Sequence, residues 1–240
     1  MNYHEMIAAM GEGAAHPGGF QGTLAFLDEV DIPLGLRVLE VGCGTGRTAC
    51  LLAQKGAKVT AMDRSSTMVD KAKKRAEMQG IDIDVIQGDV CSIPFESDSF
   101  DVVFAESVTI FTDPVEAFRE YYRVLRTGGQ LWDRELYQTK PHPELYPEMF
   151  KLYGNPQLPE LQAWMELMRA AGFRNVNPWK PGAAPLIPAD SDGEYIFDQY
   201  QFFDLETLQD PNALGFFASN HAFLMDFQEH LSFGVFMGEK

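Results

Sequence analysis

Val38–Arg47 reads VLEVGCGTGR. An apolar run with one acid near its end, Glu40, passes directly into glycines at 42, 44 and 46. The run suits a short strand buried on both faces. Glycine has no Cβ, so the loop after such a strand can turn tightly and let its backbone approach a ligand closely. The text that follows, RTACLLAQKG, reads as a helix with Gly56 placed to stop it. In an open α/β sheet a strand, loop and helix in that order lie where ligands bind, beyond the carboxyl ends of the strands.

The glycine spacing narrows the choice of ligand. The dinucleotide fingerprint is GxGxxG, and counted from Gly42 its third glycine falls on Arg47. The pattern here is GxGxG. A phosphate loop is also excluded, because no GKS or GKT follows.

Outward from the loop, strand-like and helical text alternates as far as about Tyr137, which argues for parallel strands joined by helices. AKVTAMD, IDIDVIQGD, FDVVFAES and GQLWDRELY read as further strands. SSTMVDKAKKRAEMQG reads as a helix with a serine cap and a stop at Gly80. Its basic cluster reads as a solvated face. DPVEAFREYYRVLRTGG is the clearest helix. Asp113 caps it, Pro114 fits its first turn, and Glu116 has the spacing of a capping box. Val115, Phe118, Tyr122 and Leu125 mark its apolar face, and Gly128 and Gly129 its end. Lys140–Pro159 reads as a proline-rich connection. LPELQAWMELMRAAGF is an amphipathic helix, RNVNPW and LSFGVFMGEK are strands, and 181–194 is a loop. The first 20 residues read as a short helix and the turn HPGG, outside the sheet.

The 240 residues carry 19 Lys and Arg against 35 Asp and Glu, a net charge of −16. A nucleic-acid partner needs a basic surface to displace counterions from phosphates, so neither nucleic acid nor an anionic membrane is expected. No apolar run approaches the roughly 20 residues that span a bilayer. The start, MNYHEMIAAM, lacks the pattern of a secretory leader. The three cysteines, Cys43, Cys50 and Cys91, have neither disulfide nor metal spacing. The expectation is a cytoplasmic protein, without a metal, acting on a small molecule. Oligomeric state is not legible.

The glycine loop and its downstream landmarks together resemble the class I S-adenosylmethionine-dependent methyltransferases. ExGxGxG after the first strand is similar to their first motif. Asp63 ends the second strand, GDV at Gly88–Val90 ends the third, FDVVFAES matches the fourth-strand motif, and RVLRTGGQL resembles the text entering the fifth. The match spans about 37–133, and the nearest subgroup is similar to the ubiquinone and menaquinone biosynthesis methyltransferases. The resemblance implies an α/β fold: a Rossmann-like, doubly wound, mostly parallel seven-stranded sheet with an antiparallel last strand. It implies one domain over 1–240, with an N-terminal lid (1–36), a cofactor core (37–137), and sheet completion with helical, substrate-capping insertions (138–240).

The implied cofactor is S-adenosylmethionine, leaving as S-adenosylhomocysteine. Asp63 is then the acceptor for both ribose hydroxyls. Asp89 accepts from the adenine amine, and the Val90 N–H meets a ring nitrogen. Arg64 and Met68 pack on the adenine. Glu40 and the loop at Gly42, Cys43, Gly44 and Gly46 receive the methionine end, Cys43 as a small filler. The family's usual Asp is Glu at position 40, which keeps the carboxylate. Glu106, ending the fourth strand, is a contact of the methionine end and a candidate base. His16, in the HPGG turn, is the other candidate base. Each of these has a plain structural reading as a strand-end acid, helix cap or loop histidine. The aromatic residues between Phe197 and Phe227 line a pocket for a flat apolar acceptor or build the core of a cap. A non-catalytic cofactor-binding module and a nicotinamide-dependent oxidoreductase are the alternatives carried forward.

Overall fold

A computed structural model describes residues 2–182, 186, 198–204, 207 and 211–240. The loop expected over 181–194 lies largely outside the described residues, as do Phe197 and the side chain of Phe217. Strands β1 (Arg37–Val41), β2 (Lys58–Asp63), β3 (Asp84–Gln87), β4 (Phe100–Glu106), β5 (Leu125–Gln138), β6 (Arg174–Trp179) and β7 (Leu231–Glu239) form a sheet in the order β3-β2-β1-β4-β5-β7-β6. β1 to β5 pair in parallel, and β7 runs antiparallel to both β5 and β6. This is the seven-stranded arrangement expected.

Both faces of the sheet are apolar, and successive strand residues alternate between two cores. Leu39, Val103, Leu131 and Phe236 pack with Phe118 and Tyr121 of α5 (Pro114–Val124) and with Trp164 and Met168 of α7 (Leu161–Ala170). Val38, Val102, Phe104 and Trp132 pack with Phe26 and Leu27 of α2 (Gly19–Leu27), Leu52 of α3 (Arg47–Gln54) and Ala72 of α4 (Ser66–Gln79). Each such side chain contributes about 1.5–3 kcal/mol by leaving water. The layers fix the carboxyl ends of β1, β2 and β4 side by side, with the strand order reversing at β1 and β4.

Several expectations are corrected. The helix α5 ends at Val124, and Leu125 already belongs to β5. Its inward face is Ala117, Phe118, Tyr121 and Val124, while Val115 is 58% exposed and Tyr122 half-buried. Asp113 caps the helix as expected, but Glu116 pairs with Arg119 instead of returning to the cap. The basic cluster on α4 is not a solvated face. Lys71 and Arg75 are buried with Ala72 and Ala76, and only Lys73 and Lys74 face out. The connection at 140–159 contains α6 (Leu145–Tyr153), whose Leu145 and Met149 are buried four residues apart. The HPGG turn runs directly into α2, which the glycines disguised; Gly18 has φ 79° and lies so close to Phe233 that a Cβ would sit 2.7 Å from its ring. α1 (Tyr3–Met10) is the short N-terminal helix expected, held by an Asn2–Glu5 capping box. α8 (Pro211–Asp226) lies in the aromatic text.

Candidate functional site

A cavity of about 360 Å³ opens at the carboxyl ends of β1, β2 and β4, within the range of small-molecule sites. It is lined by Glu40, Gly42, Cys43, Gly44, Asp63, Arg64, Met68, Asp89, Val90, His16 and Glu106, so nearly all the expected site residues meet there. Gly46 stands behind them as the N-terminal cap of α3, with φ 74° and Ala72 close against it.

The glycine loop takes its shape from Asp63. The Asp63 carboxylate accepts the Gly44 N–H at 2.9 Å and the Ser65 N–H at 2.8 Å. Each oxygen keeps a free lone pair, so the group can still accept two hydroxyls. Burial raises its pKa above the usual carboxylate range, and the two N–H groups oppose that rise. The Cys43 N–H donates to the Met62 carbonyl at 3.0 Å and ties the loop to β2. Burial holds the Cys43 thiol well above its ordinary pKa, so it stays an uncharged filler. Gly42 has φ 59°, and a Cβ there would meet Val108 at 2.3 Å. Gly44 has φ 53°, and a Cβ there would meet only the Glu12 carbonyl, at 4.0 Å, so the loop backbone faces open cavity.

Glu40 is buried in β1, and its Oε2 has no hydrogen-bond partner. Burial, then the charges of Glu106 and Asp63, push its pKa well above the usual range. An orphaned acceptor of this kind fits a cationic group of a ligand, which would draw the pKa back down. Asp89 is exposed at the cavity edge and orders its turn by accepting the Cys91 N–H at 2.8 Å. Val90 is buried beside it.

Glu106 and His16 are brought together, their side chains 3.7 Å apart. Glu106 accepts from Thr23 of α2 at 2.7 Å, Thr48 of α3 at 2.9 Å and Arg134 of β5 at 2.9 Å. Burial alone would raise its pKa; His16, Arg134 and the two hydroxyls together hold it below the usual range. Burial lowers the His16 pKa from its ordinary value, and the charge of Glu106 opposes that fall. Thr23 has one hydroxyl proton and gives it to Glu106. The His16 ring lies between two oxygens, its Nε2 3.3 Å from the Thr23 hydroxyl and its Nδ1 3.5 Å from the Pro17 carbonyl. Arg134 also donates to the Gly22 carbonyl at 2.9 Å. The cluster pins the HPGG segment to the sheet.

Two more cations hold the lid. Lys71 donates to the carbonyls of Ala8 and Ala9, at 2.5 and 3.2 Å, at the C-terminal end of α1. Arg75 joins the Thr45 carbonyl of the glycine loop, at 2.8 Å, to Asp198 through two hydrogen bonds of 2.9 and 2.6 Å. Sequence reasoning missed Thr23, Thr48, Lys71, Arg75 and Arg134. It also missed Tyr3, His4 and Phe111, which line the cavity. The signal for Arg134 was its place in the charged triplet Asp133–Glu135, set between the apolar pairs Leu131–Trp132 and Leu136–Tyr137 of β5. Ser107 also lines the cavity, with φ 59°, a strained conformation for a residue with a Cβ.

Among the described residues no cluster of His, Cys, Asp and Glu suits a metal ion. Nor is any helix among them long and apolar enough to cross a membrane.

Comparison with known proteins places this geometry. Residues 39–132 match the family model described as a methyltransferase domain. The uncharacterized methyltransferase YodH of Bacillus subtilis is 31% identical over 239 residues, 99% of each chain. Among solved structures, a phosphoethanolamine N-methyltransferase 2 of Haemonchus contortus in complex with S-adenosyl-L-methionine superposes with a TM-score of 0.74. It is 21% identical, and the match covers 99% of this chain and 56% of that one. The [4+2]-cyclase SpnF superposes with a TM-score of 0.72 at 20% identity, over 99% of this chain and 93% of that one. At these identities the superpositions speak for the fold.

Proposed function

The chain belongs to the class I S-adenosylmethionine-dependent methyltransferases, and from that premise we propose how its residues divide the work. It is an enzyme that transfers a methyl group from S-adenosylmethionine to a small-molecule acceptor. That assignment sets aside the binding-module and nicotinamide alternatives. When bound, the cofactor supplies an electrophilic methyl on a sulfonium whose leaving group is a neutral thioether.

The observation that carries the division of labour is the pairing of Asp63, with a free lone pair on each oxygen, and the orphaned Glu40 on either side of the open Gly44 backbone. Asp63 holds the ribose hydroxyls. Asp89 and the Val90 N–H hold the adenine edge, and Arg64 and Met68 cover its face. Glu40 and the backbone at Gly42, Cys43 and Gly44 receive the methionine end, and Gly46 lets the loop close onto α3.

Glu106 and His16 are positioning residues in this reading. Glu106 accepts from Arg134, Thr23 and Thr48, and His16 lies against Thr23, so both tie the lid to the sheet while lining the cavity. They hold the lid over the cavity, which aligns the reactants and excludes water. The acceptor is apolar or aromatic, nucleic acid is not a partner, and the protein works in the cytoplasm as one domain over 1–240. The net charge of −16 supports the second of these statements. A melting series tests the cofactor reading. S-adenosylhomocysteine at millimolar concentration is expected to raise Tm by linkage, and NADH to leave it unchanged. A rise with NADH alone would overturn it.

A further inference from the structure

One end of the cavity is built of rings. Tyr3 and His4, in the first turn of α1, line it together with Phe111 from the 3-10 turn Thr109–Phe111. Phe111 stacks on Tyr3 with centroids 5.5 Å apart, and His4 meets Phe111 edge-on at 4.7 Å. Tyr153 of α6 supports Tyr3 edge-on at 5.1 Å. The turn that carries Phe111 is fixed from below: the buried Glu135 carboxyl group accepts, on one oxygen, the N–H groups of Val108, at 2.9 Å, and Ile110, at 3.2 Å. The wall is therefore rigid and placed by the sheet.

Cationic side chains are scarce around the cavity. Its carboxylates are Glu12, Glu40, Asp63, Asp89 and Glu106; Arg64 is the arginine among its described lining residues, and no lysine is. Arg64 covers the adenine face in the reading above, which leaves no Lys or Arg among those residues for the acceptor. A phosphorylated acceptor would find no cationic cluster to replace its hydration. A half-buried His4, its pKa pushed down to about 4 by desolvation and then by Arg64, adds an uncharged imidazole to the wall.

We propose that Tyr3, His4 and Phe111 form the acceptor subsite, and that it takes an uncharged ring compound and rejects phosphorylated acceptors. This rests on the cofactor reading of the same cavity. The ring faces offer stacking, the edges of Tyr3 and His4 offer hydrogen bonds, and nothing offers a counter-ion to phosphate.

The test is calorimetric, in two stages on the intact chain. Titration with S-adenosylhomocysteine comes first; if it does not bind, the cofactor reading fails and this inference with it. The loaded protein is then titrated with methylhydroquinone, 2-naphthol and phosphoethanolamine. At least one ring compound is expected to bind about tenfold or more tighter than phosphoethanolamine. Phe111→Leu keeps an apolar side chain and is expected to weaken ring binding about tenfold, with S-adenosylhomocysteine affinity unchanged. His4→Gln serves as a second variant with the same expectation. The inference is overturned, with the cofactor reading intact, by any of three results. Phosphoethanolamine binds as tightly as the rings, no ring compound binds at millimolar concentration, or both variants bind rings like the parent.

Discussion

The floor of the cavity and its lid are held by different kinds of atoms. On the floor, Asp63 gathers backbone N–H groups of Gly44 and Ser65, and the Cys43 N–H reaches the Met62 carbonyl. The partners come from neighbouring stretches of chain. In the lid, side-chain charges reach across long sequence separations: Arg134 to Gly22 and Glu106, Lys71 to Ala8, and Arg75 to Asp198, 123 residues away. A floor made of main chain resists most substitutions. A lid made of a few buried ion pairs depends on each of them.

The largest effect is expected from the lid. Arg134→Met leaves Glu106 buried without its cation and is expected to cost about 3–5 kcal/mol in urea denaturation. Adding Glu106→Gln should recover much of that loss; if it does not, the ion pair is not what the arginine supplies. On the floor, Asp63→Ala is expected to weaken S-adenosylhomocysteine about 100-fold by calorimetry, through the loss of two charge-assisted hydrogen bonds. Retained affinity would remove the ribose role from Asp63.

A pH series sharpens the contrast from beneath the acceptor wall. Asp133 and Glu135 on β5 are fully buried, face Thr109 and Tyr121, and each leaves one oxygen unpartnered. Burial pushes Asp133 up to about 8 and holds Glu135 above its usual range. The folded chain thus keeps protons that the unfolded chain releases near pH 4. The share of stability due to Asp133 is expected to be lost as pH rises from about 4 to about 8. Asp133→Asn should flatten that loss, by on the order of 2 kcal/mol between pH 5 and pH 8. An unchanged slope would show that other groups set it. The smallest effect belongs to an exposed pair. Arg119→Ala removes the contact with Glu116 and is expected to change stability by about 0.5 kcal/mol or less.

The same contrast explains what the sequence disclosed. The floor was legible because glycine spacing, a strand-end acid and a capped helix are local patterns, each with its own physical signature. The strand order followed, since alternating strands and helices leave few topologies open. The lid was opaque because an ion pair between Arg75 and Asp198 leaves no local trace. Lys71 looked like any lysine on a basic helix until α1 was laid against it. The inward face of α5 was misread by about one residue, as Val115 is apolar yet exposed, and Tyr121 rather than Tyr122 turns in. The helix α6 was hidden by prolines that in the event flank its buried face or sit in its first turn.

The order of strands across the sheet also has a meaning in time. β6 pairs only with β7 in the sheet, and β7 is made about 50 residues later. At roughly 5–20 residues per second, β6 waits several seconds on the ribosome with its edges unpaired. The floor of the cavity, from β1 to β4, is already complete during that interval. A nascent chain paused there would expose an apolar sheet edge beside a finished cofactor cradle, the stage at which a chaperone or an aggregate would find it.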